Sequence, residues 1–315
     1  MAGVTDDVNL DIPKGAPLTK EKGTTGLQLP RLQNVSGTMK LVPTWISHSP
    51  GDVMQFIEEQ STRYGKYIPE IWDCEDWAYL AAADVRRKFS GQPVGILLGK
   101  GKFGPNIEGN DHAINILWFA KRDADGKEVW YPRYYDATWK REITDMAGGD
   151  PPFDTEIVIP CPIGGSDNSK DYKELPPYEN NPPFLKTATF ALDRTDYDFS
   201  TINDVKRMLT EWNNISYGTA SQVDSRLFTQ TDQAFYYFAH IRRWHANIRS
   251  PSPKGTLPVG LVVGKIVSSG NDYAALILWN SENKDDYIYW DIYVGEVIDP
   301  ILKKVDPIKP RVILV

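Results

Sequence analysis

Hydrophobic positions along the chain follow two kinds of pattern, helical and extended, and the same succession of the two occurs twice. After residue 73, Trp77, Leu80, Ala81, Val85 and Phe89 recur at helical spacing, and Arg86, Arg87 and Lys88 gather near the end, where cations suit the negative pole of a helix. Asp73 stands at the N-cap, with Asp76 three residues on to return a hydrogen bond to the cap's own amide, so the helix is predicted to begin at Cys74. The turn Gly109-Asn110-Asp111 then leads past His112 into Ala113 to Phe119, a stretch apolar almost throughout, which predicts a strand buried on both faces. A turn at Asp123-Ala124-Asp125-Gly126 joins it to a second strand at Glu128 to Tyr131, and Tyr134 to Trp139 follows.

The second occurrence is close to literal. Pro93-Val94-Gly95-Ile96-Leu97-Leu98-Gly99-Lys100 returns as Pro258-Val259-Gly260-Leu261-Val262-Val263-Gly264-Lys265. Gly109-Asn110-Asp111-His112-Ala113 returns as Gly270-Asn271-Asp272-Tyr273-Ala274, Ile116-Leu117-Trp118 as Ile277-Leu278-Trp279, and Tyr134-Tyr135-Asp136 as Tyr289-Trp290-Asp291. A helix opening at Asp52-Val53 and ending near Tyr64-Gly65 is echoed by one from Asp204-Val205 to near Tyr217-Gly218. The expected organisation is an α+β chain of two tandem copies of one module, at residues 39–147 and 187–301. An extended N-terminal arm (1–38) precedes them, a proline-rich linker (148–186) joins them, and a C-terminal extension (302–315) follows. The last apolar residues of that extension call for a sheet edge or a partner.

Composition narrows the field. A hydrophobic content of 41% and a charged content of 24% suit a globular chain long enough for two cores. The net charge of −7 argues against binding nucleic-acid phosphates. No apolar run is long enough for a membrane helix, and the first ten residues lack the basic start and apolar core of a signal peptide. Only two cysteines are present, too few for a disulfide framework, so a reducing cytoplasm is the expected compartment.

One of those cysteines carries the candidate chemistry. Unpaired amides and the helix dipole at a first helical position favour the thiolate, so Cys74 reads as a nucleophile; the alternative is a small buried hydrophobe beside a cap. His112 at the mouth of a core strand can act as base. The hairpin can bring Asp136 beside it as the orienting acid. The second copy serves as an internal control. Matching Val85-Arg86-Arg87 to Ile241-Arg242-Arg243 sets Cys74 against Gln230 and Asp76 against Asp232, while His112 has become Tyr273. Asp76 and Asp136 keep counterparts, in Asp232 and Asp291, and so have a role in the fold; Cys74 and His112 are lost together. The Cys74 amide is a candidate oxyanion donor, with Tyr67 or Trp72 as a second, although both aromatics also read as packing residues. His48, His240 and His245 show no recognisable spacing to a cysteine or acid and read as surface or half-buried. Cys161, between two prolines, has no helix start and no expected catalysis.

A helix-borne cysteine, a strand-borne histidine and an acid on the next strand resemble the papain-like and transglutaminase-like cysteine hydrolases. The wording Asp73-Cys74-Glu75-Asp76-Trp77-Ala78 and His112-Ala113-Ile114-Asn115 looks most like the protease domain of fungal chimerolectins and related bacterial or phage domains, over about residues 65 to 145. The resemblance implies Cys74 as nucleophile, His112 as general base, Asp136 as orienting acid, and a peptide or amide substrate. Hydrolysis and transfer to an amine both remain open. Some relatives depend on calcium, but Glu75, Asp76 and Asp111 read more simply as helix-start and turn residues, so no cofactor or metal is expected. A rival reading is a catalytically idle structural or assembly subunit, such as a phage virion or tail component, whose arms engage neighbouring subunits. A carbohydrate- or protein-binding module is a third. No nucleic-acid or membrane partner is expected.

Overall fold

In the computed structural model the described residues are 21–22, 46–69, 71–102, 108–143, 153–161, 188–190, 196–220, 230–249, 255–266, 272–281, 287–291, 296–298 and 308–314. Most of the expected N-terminal arm lies outside them. Its described part, β1 (Glu21–Lys22), pairs antiparallel with β8 (Asp196–Tyr197).

Helix α1 (Pro50–Ser61) begins after Ser49, whose hydroxyl accepts the Asp52 amide, with proline in its first turn, where no amide is needed. Helix α2 (Cys74–Lys88) starts at the predicted residue. Asp73 is extended, and its amide donates to Asp76 Oδ2 at 3.4 Å. The first sheet contains β2 (Val94–Lys102), β3 (Glu108–Arg122), β4 (Glu128–Asp136), β5 (Arg141–Ile143) and β6 (Phe153–Cys161), all antiparallel, in the order β5-β4-β3-β2-β6. The β3–β4 turn closes as its sequence demands. Asp123 Oδ1 accepts the amides of Asp125 and Lys127, and Gly126 takes φ 79°, which favours glycine.

Strand β6 corrects the expected domain boundaries. Residues 153–161 fall in the stretch read as linker, yet they form the outer strand of the first sheet, with Ile157, Val158 and Ile159 opposite Leu98, Leu97 and Ile96. Pro160 is tolerated because this is an edge strand. The C-terminal extension is likewise part of a sheet. Strand β13 (Ile308–Leu314) lies between β9 (Val259–Ile266) and β7 (Ala188–Phe190). With β10 (Asp272–Trp279), β11 (Tyr287–Asp291) and β12 (Glu296–Ile298) they form a six-stranded sheet of order β12-β11-β10-β9-β13-β7.

The two sheets agree in order and in register. Val94↔Leu117 in the first corresponds to Val259↔Leu278 in the second, Gly99↔His112 to Gly264↔Tyr273, Asn115↔Tyr135 to Leu276↔Trp290, and Asp136↔Arg141 to Asp291↔Glu296. Even the irregularity repeats. The β2–β6 register shifts beside Gly99↔Thr155, and the β9–β13 register beside Gly264↔Pro310.

Helices α3 (Ile202–Ala220) and α4 (Gln230–Arg243), the latter continuing as a π-helical turn Trp244–Arg249, precede the main strands of the second sheet in the chain as α1 and α2 precede those of the first. α2 packs on β2 and β3, α4 on β9 and β10, and α2 and α4 pack on each other. One core results, running from Ile96, Leu98 and Leu117 through Ala81 and Val85 to Phe235 and Phe238 and on to Leu261 and Leu276. The opposite faces of β2 and β3, with Leu97, Ile114, Ile116 and Trp118, are also buried, which accounts for the unbroken apolar runs. No helix among the described residues is long and apolar enough to cross a membrane.

Candidate active site

The nucleophile candidate sits at a junction built from local chemistry. The backbone turns tightly before α2, with Ile68 and Trp72 exchanging backbone hydrogen bonds of 2.9 and 2.8 Å. The Trp72 ring is fully buried, and its Nε1 donates to the Tyr64 carbonyl at 3.0 Å. Cys74 follows as the first helical residue, so its own amide has no intrahelical acceptor. Its side chain is 7% exposed. Sγ donates to Glu75 Oε2 at 3.2 Å, and α2 packs on β3, the strand that carries His112.

His112 and Asp136 come together as the hairpin predicts, with Nε2 2.8 Å from Asp136 Oδ2. The other carboxylate oxygen is fixed by local turn chemistry. Asp136 Oδ1 accepts the Thr138 amide at 2.9 Å, the Thr138 hydroxyl at 2.6 Å and the Trp139 amide at 3.1 Å, which holds Asp136 in one orientation. Strand alternation sets Asn115 and Tyr135 toward the helices, where Asn115 Nδ2 donates to the Ala78 carbonyl and the Tyr135 hydroxyl meets Ser61. His112 and Asp136 therefore leave the sheet on the face opposite the helices, while Cys74 stands at the start of α2 on the helix side.

Two expectations need correction. A helix start was expected to lower the thiol's pKa, but burial pushes the Cys74 thiol up, and the charges of Glu75 and Asp73 push it further. The thiol donates to Glu75 Oε2 at 3.2 Å, which stabilises its protonated form; the Ala113 amide acts in the opposite direction but is outweighed. Trp72 is excluded as an oxyanion donor because its indole N–H is already given to the Tyr64 carbonyl. Tyr67, 44% exposed, stays at the surface just upstream of the nucleophile.

Sequence reading passed over three features. Glu75 and Asp73 read as capping residues, yet with Cys74 they bring three possible metal-ligand atoms within 4.8 Å of one another, the one such group among the described residues. A cation held there would engage the thiol itself. Trp139, 47% exposed and stacked by Arg141 at 5.3 Å, lies three residues past Asp136, and only that position could have drawn notice. The histidines set aside also find acids. His240 Nε2 lies 2.9 Å from Asp84 Oδ1, and the buried His245 lies 3.5 Å from Asp198 Oδ2, pairings that tertiary structure alone creates.

No model of a known protein family matches the chain, and no curated protein matches it.

Proposed function

We propose that the first lobe is a cysteine hydrolase of peptidase or amidase type, with a transglutaminase-like or papain-like arrangement, and that the second is a degenerate, non-catalytic copy of the same module. The observation that carries this reading is the His112–Asp136 pair at 2.8 Å on the strands next to the helix whose first residue is Cys74. Shared strand order, register and bulge position support the tandem copies.

The chemistry follows from the atoms. Nε2 of His112 faces Asp136, so catalysis requires Nδ1 to exchange the proton with the thiol, and requires the imidazole to reach Cys74 round the end of the sheet. Because burial and two carboxylates keep the resting thiol protonated, His112 acts as a general base during attack and not as half of a standing ion pair. The Cys74 proton passes to Nδ1 as sulfur bonds the acyl carbon, and the Cys74 amide receives the developing oxyanion. The carbon–nitrogen bond then breaks, the imidazolium protonates the departing amine, and a thioester is left. Water, deprotonated by His112, releases the acid; an amine in its place gives transfer.

Acylation by p-nitrophenyl acetate tests the scheme. Intact-mass analysis is expected to show one acetyl group on Cys74, absent in Cys74→Ala and formed at least about 100-fold more slowly in His112→Ala, the scale of general-base assistance. Equal acylation with and without His112 would contradict it.

A specific observation also favours the idle-subunit reading, namely the burial and protonation of the thiol. That reading requires Cys74 to resist acylation in the folded protein.

A further inference from the structure

The two lobes meet through contacts that repeat across a pseudo-twofold relation. Arg86 of α2 forks onto Asp232 of α4 through Nε and Nη2, both at 2.8 Å, and Arg242 of α4 contacts Asp76 of α2 through Nε. In the match of the two copies Arg86 corresponds to Arg242 and Asp232 to Asp76, so the two ion pairs are one contact made twice. Asp84 and His240, which also correspond, pair with each other at 2.9 Å, as residues beside such an axis do.

The chemistry at the two ends differs. Asp232 gives both carboxylate oxygens to the Arg86 fork. Asp76 is divided. One oxygen meets Arg242, and the other accepts the amide of Asp73, the cap of the helix on which Cys74 is the first residue. Just upstream the second lobe touches the same segment twice more. Arg243 Nη2 donates to the Arg63 carbonyl at 2.7 Å, and Asn247 Oδ1 accepts the Lys66 amide at 3.0 Å. Asn247 can sit there because Gly65 has no side chain; a Cβ on Gly65 would lie 2.1 Å from Asn247 Oδ1. Tyr64, between these points, holds the buried Trp72 through its carbonyl and donates its hydroxyl to Asp84, the partner of His240.

We propose that the second lobe is the positioning partner of the nucleophile: Arg242 acting through Asp76, and Asn247 acting through the backbone at Lys66, fix the segment that presents Cys74. On this account the capping box of the first lobe defines the helix start, and the second copy holds it in place. None of these residues touches substrate; they are positioning residues. The inference concerns the site proposed above, and its test separates the two claims.

The pseudosymmetry supplies the control. Arg242→Lys and Arg86→Lys each replace a guanidinium by a point charge at corresponding positions, but only the first borders the nucleophile's cap. Arg86→Lys, which also loses the Nη1 bond to the Gln92 carbonyl at 2.9 Å, is expected to lower the melting temperature at least as much as Arg242→Lys, so general loosening of the lobes is covered by the control. Amide hydrogen exchange at Trp77, whose amide closes the first helical turn onto the Asp73 carbonyl at 3.0 Å, is expected to quicken on the order of tenfold in Arg242→Lys and not in Arg86→Lys. Asn247→Ala, which leaves both ion pairs in place, is expected to loosen Tyr64 to Trp72 in the same experiment. The pH profile of Cys74 alkylation is expected to shift in Arg242→Lys and Asn247→Ala and to keep its wild-type form in Arg86→Lys. Equal behaviour of the two arginine variants at Trp77 overturns the inference. The predicted exchange pattern, together with wild-type alkylation that does not depend on His112, upholds the positioning role and overturns the hydrolase.

Discussion

Burial holds the Cys74 thiol protonated, and Glu75 adds to this, because an adjacent carboxylate stabilises S–H and opposes S⁻. Replacing it by glutamine removes that opposition, so alkylation of Cys74 at neutral pH is expected to rise about tenfold, as iodoacetamide labelling can read. The opposite result, slower labelling in Glu75→Gln, would assign Glu75 the part of a base. Trp72 belongs to the scaffold. Trp72→Phe leaves the Tyr64 carbonyl without its indole donor and is expected to cost about 1–3 kcal/mol in urea unfolding. The helix start at Cys74 and the contact of His112 with Asp136 could be read from sequence because a capping box, a turn before an apolar strand and a hairpin each declare themselves locally. The raised thiol could not. It depends on burial and on where two carboxylates lie once the helix start is packed, and local sequence carries neither.

Elements with strong local signals begin and end where their residues imply. Helix α2 starts at its capping box, and the β3–β4 hairpin turns on Asp123 and Gly126. Strand β6 went unread because prolines surround it, although its Ile157-Val158-Ile159 core is a strand signal and an edge position accepts Pro160. Close packing between β2 and its neighbours makes Gly95 a sensitive point. A Cβ there would lie 3.1 Å from Ile116, 3.2 Å from Trp118 and 3.3 Å from the Ile159 carbonyl. Gly95→Val is therefore expected to destabilise by about 1–3 kcal/mol through overpacking, measurable as a lower urea midpoint at constant slope. Between helices the buried Arg86–Asp232 pair dominates. Arg86→Ala strands the Asp232 charge and is expected to cost about 3–5 kcal/mol, whereas a change that removes both charges together costs less. Sequence matching identified both partners as repeat positions. It could not show that each copy's arginine serves the other copy's acid.

At the scale of the molecule, two sheets enclose one helical layer and share one core, so the lobes are expected to unfold together. Asp198 is one contributor to the pH dependence of that stability. Burial alone would raise its carboxyl, but the His245 imidazole 3.5 Å away and hydrogen bonds from the Ser200 amide and hydroxyl outweigh burial and hold it below the ordinary range. A carboxyl depressed in the folded state adds stability above its unfolded pKa, about 3.9, and loses it as pH falls through the lower folded value. The stability gap between wild type and Asp198→Asn is therefore expected to be full at neutral pH and to close below about pH 4; a gap unchanged by pH would contradict this assignment.

The measurement that bears most directly on the central claim is the rate of Cys74 alkylation by iodoacetamide, with and without His112, in a background where Cys161→Ser silences the other thiol. The account predicts that below the free-thiol range of about pH 8.5 the protein with His112 reacts at least about 100-fold faster than His112→Ala, because the imidazole takes the proton that burial and Glu75 otherwise hold on sulfur. Equal rates across that range, or a thiol inert in both proteins, would contradict it and leave the first lobe as catalytically idle as the second.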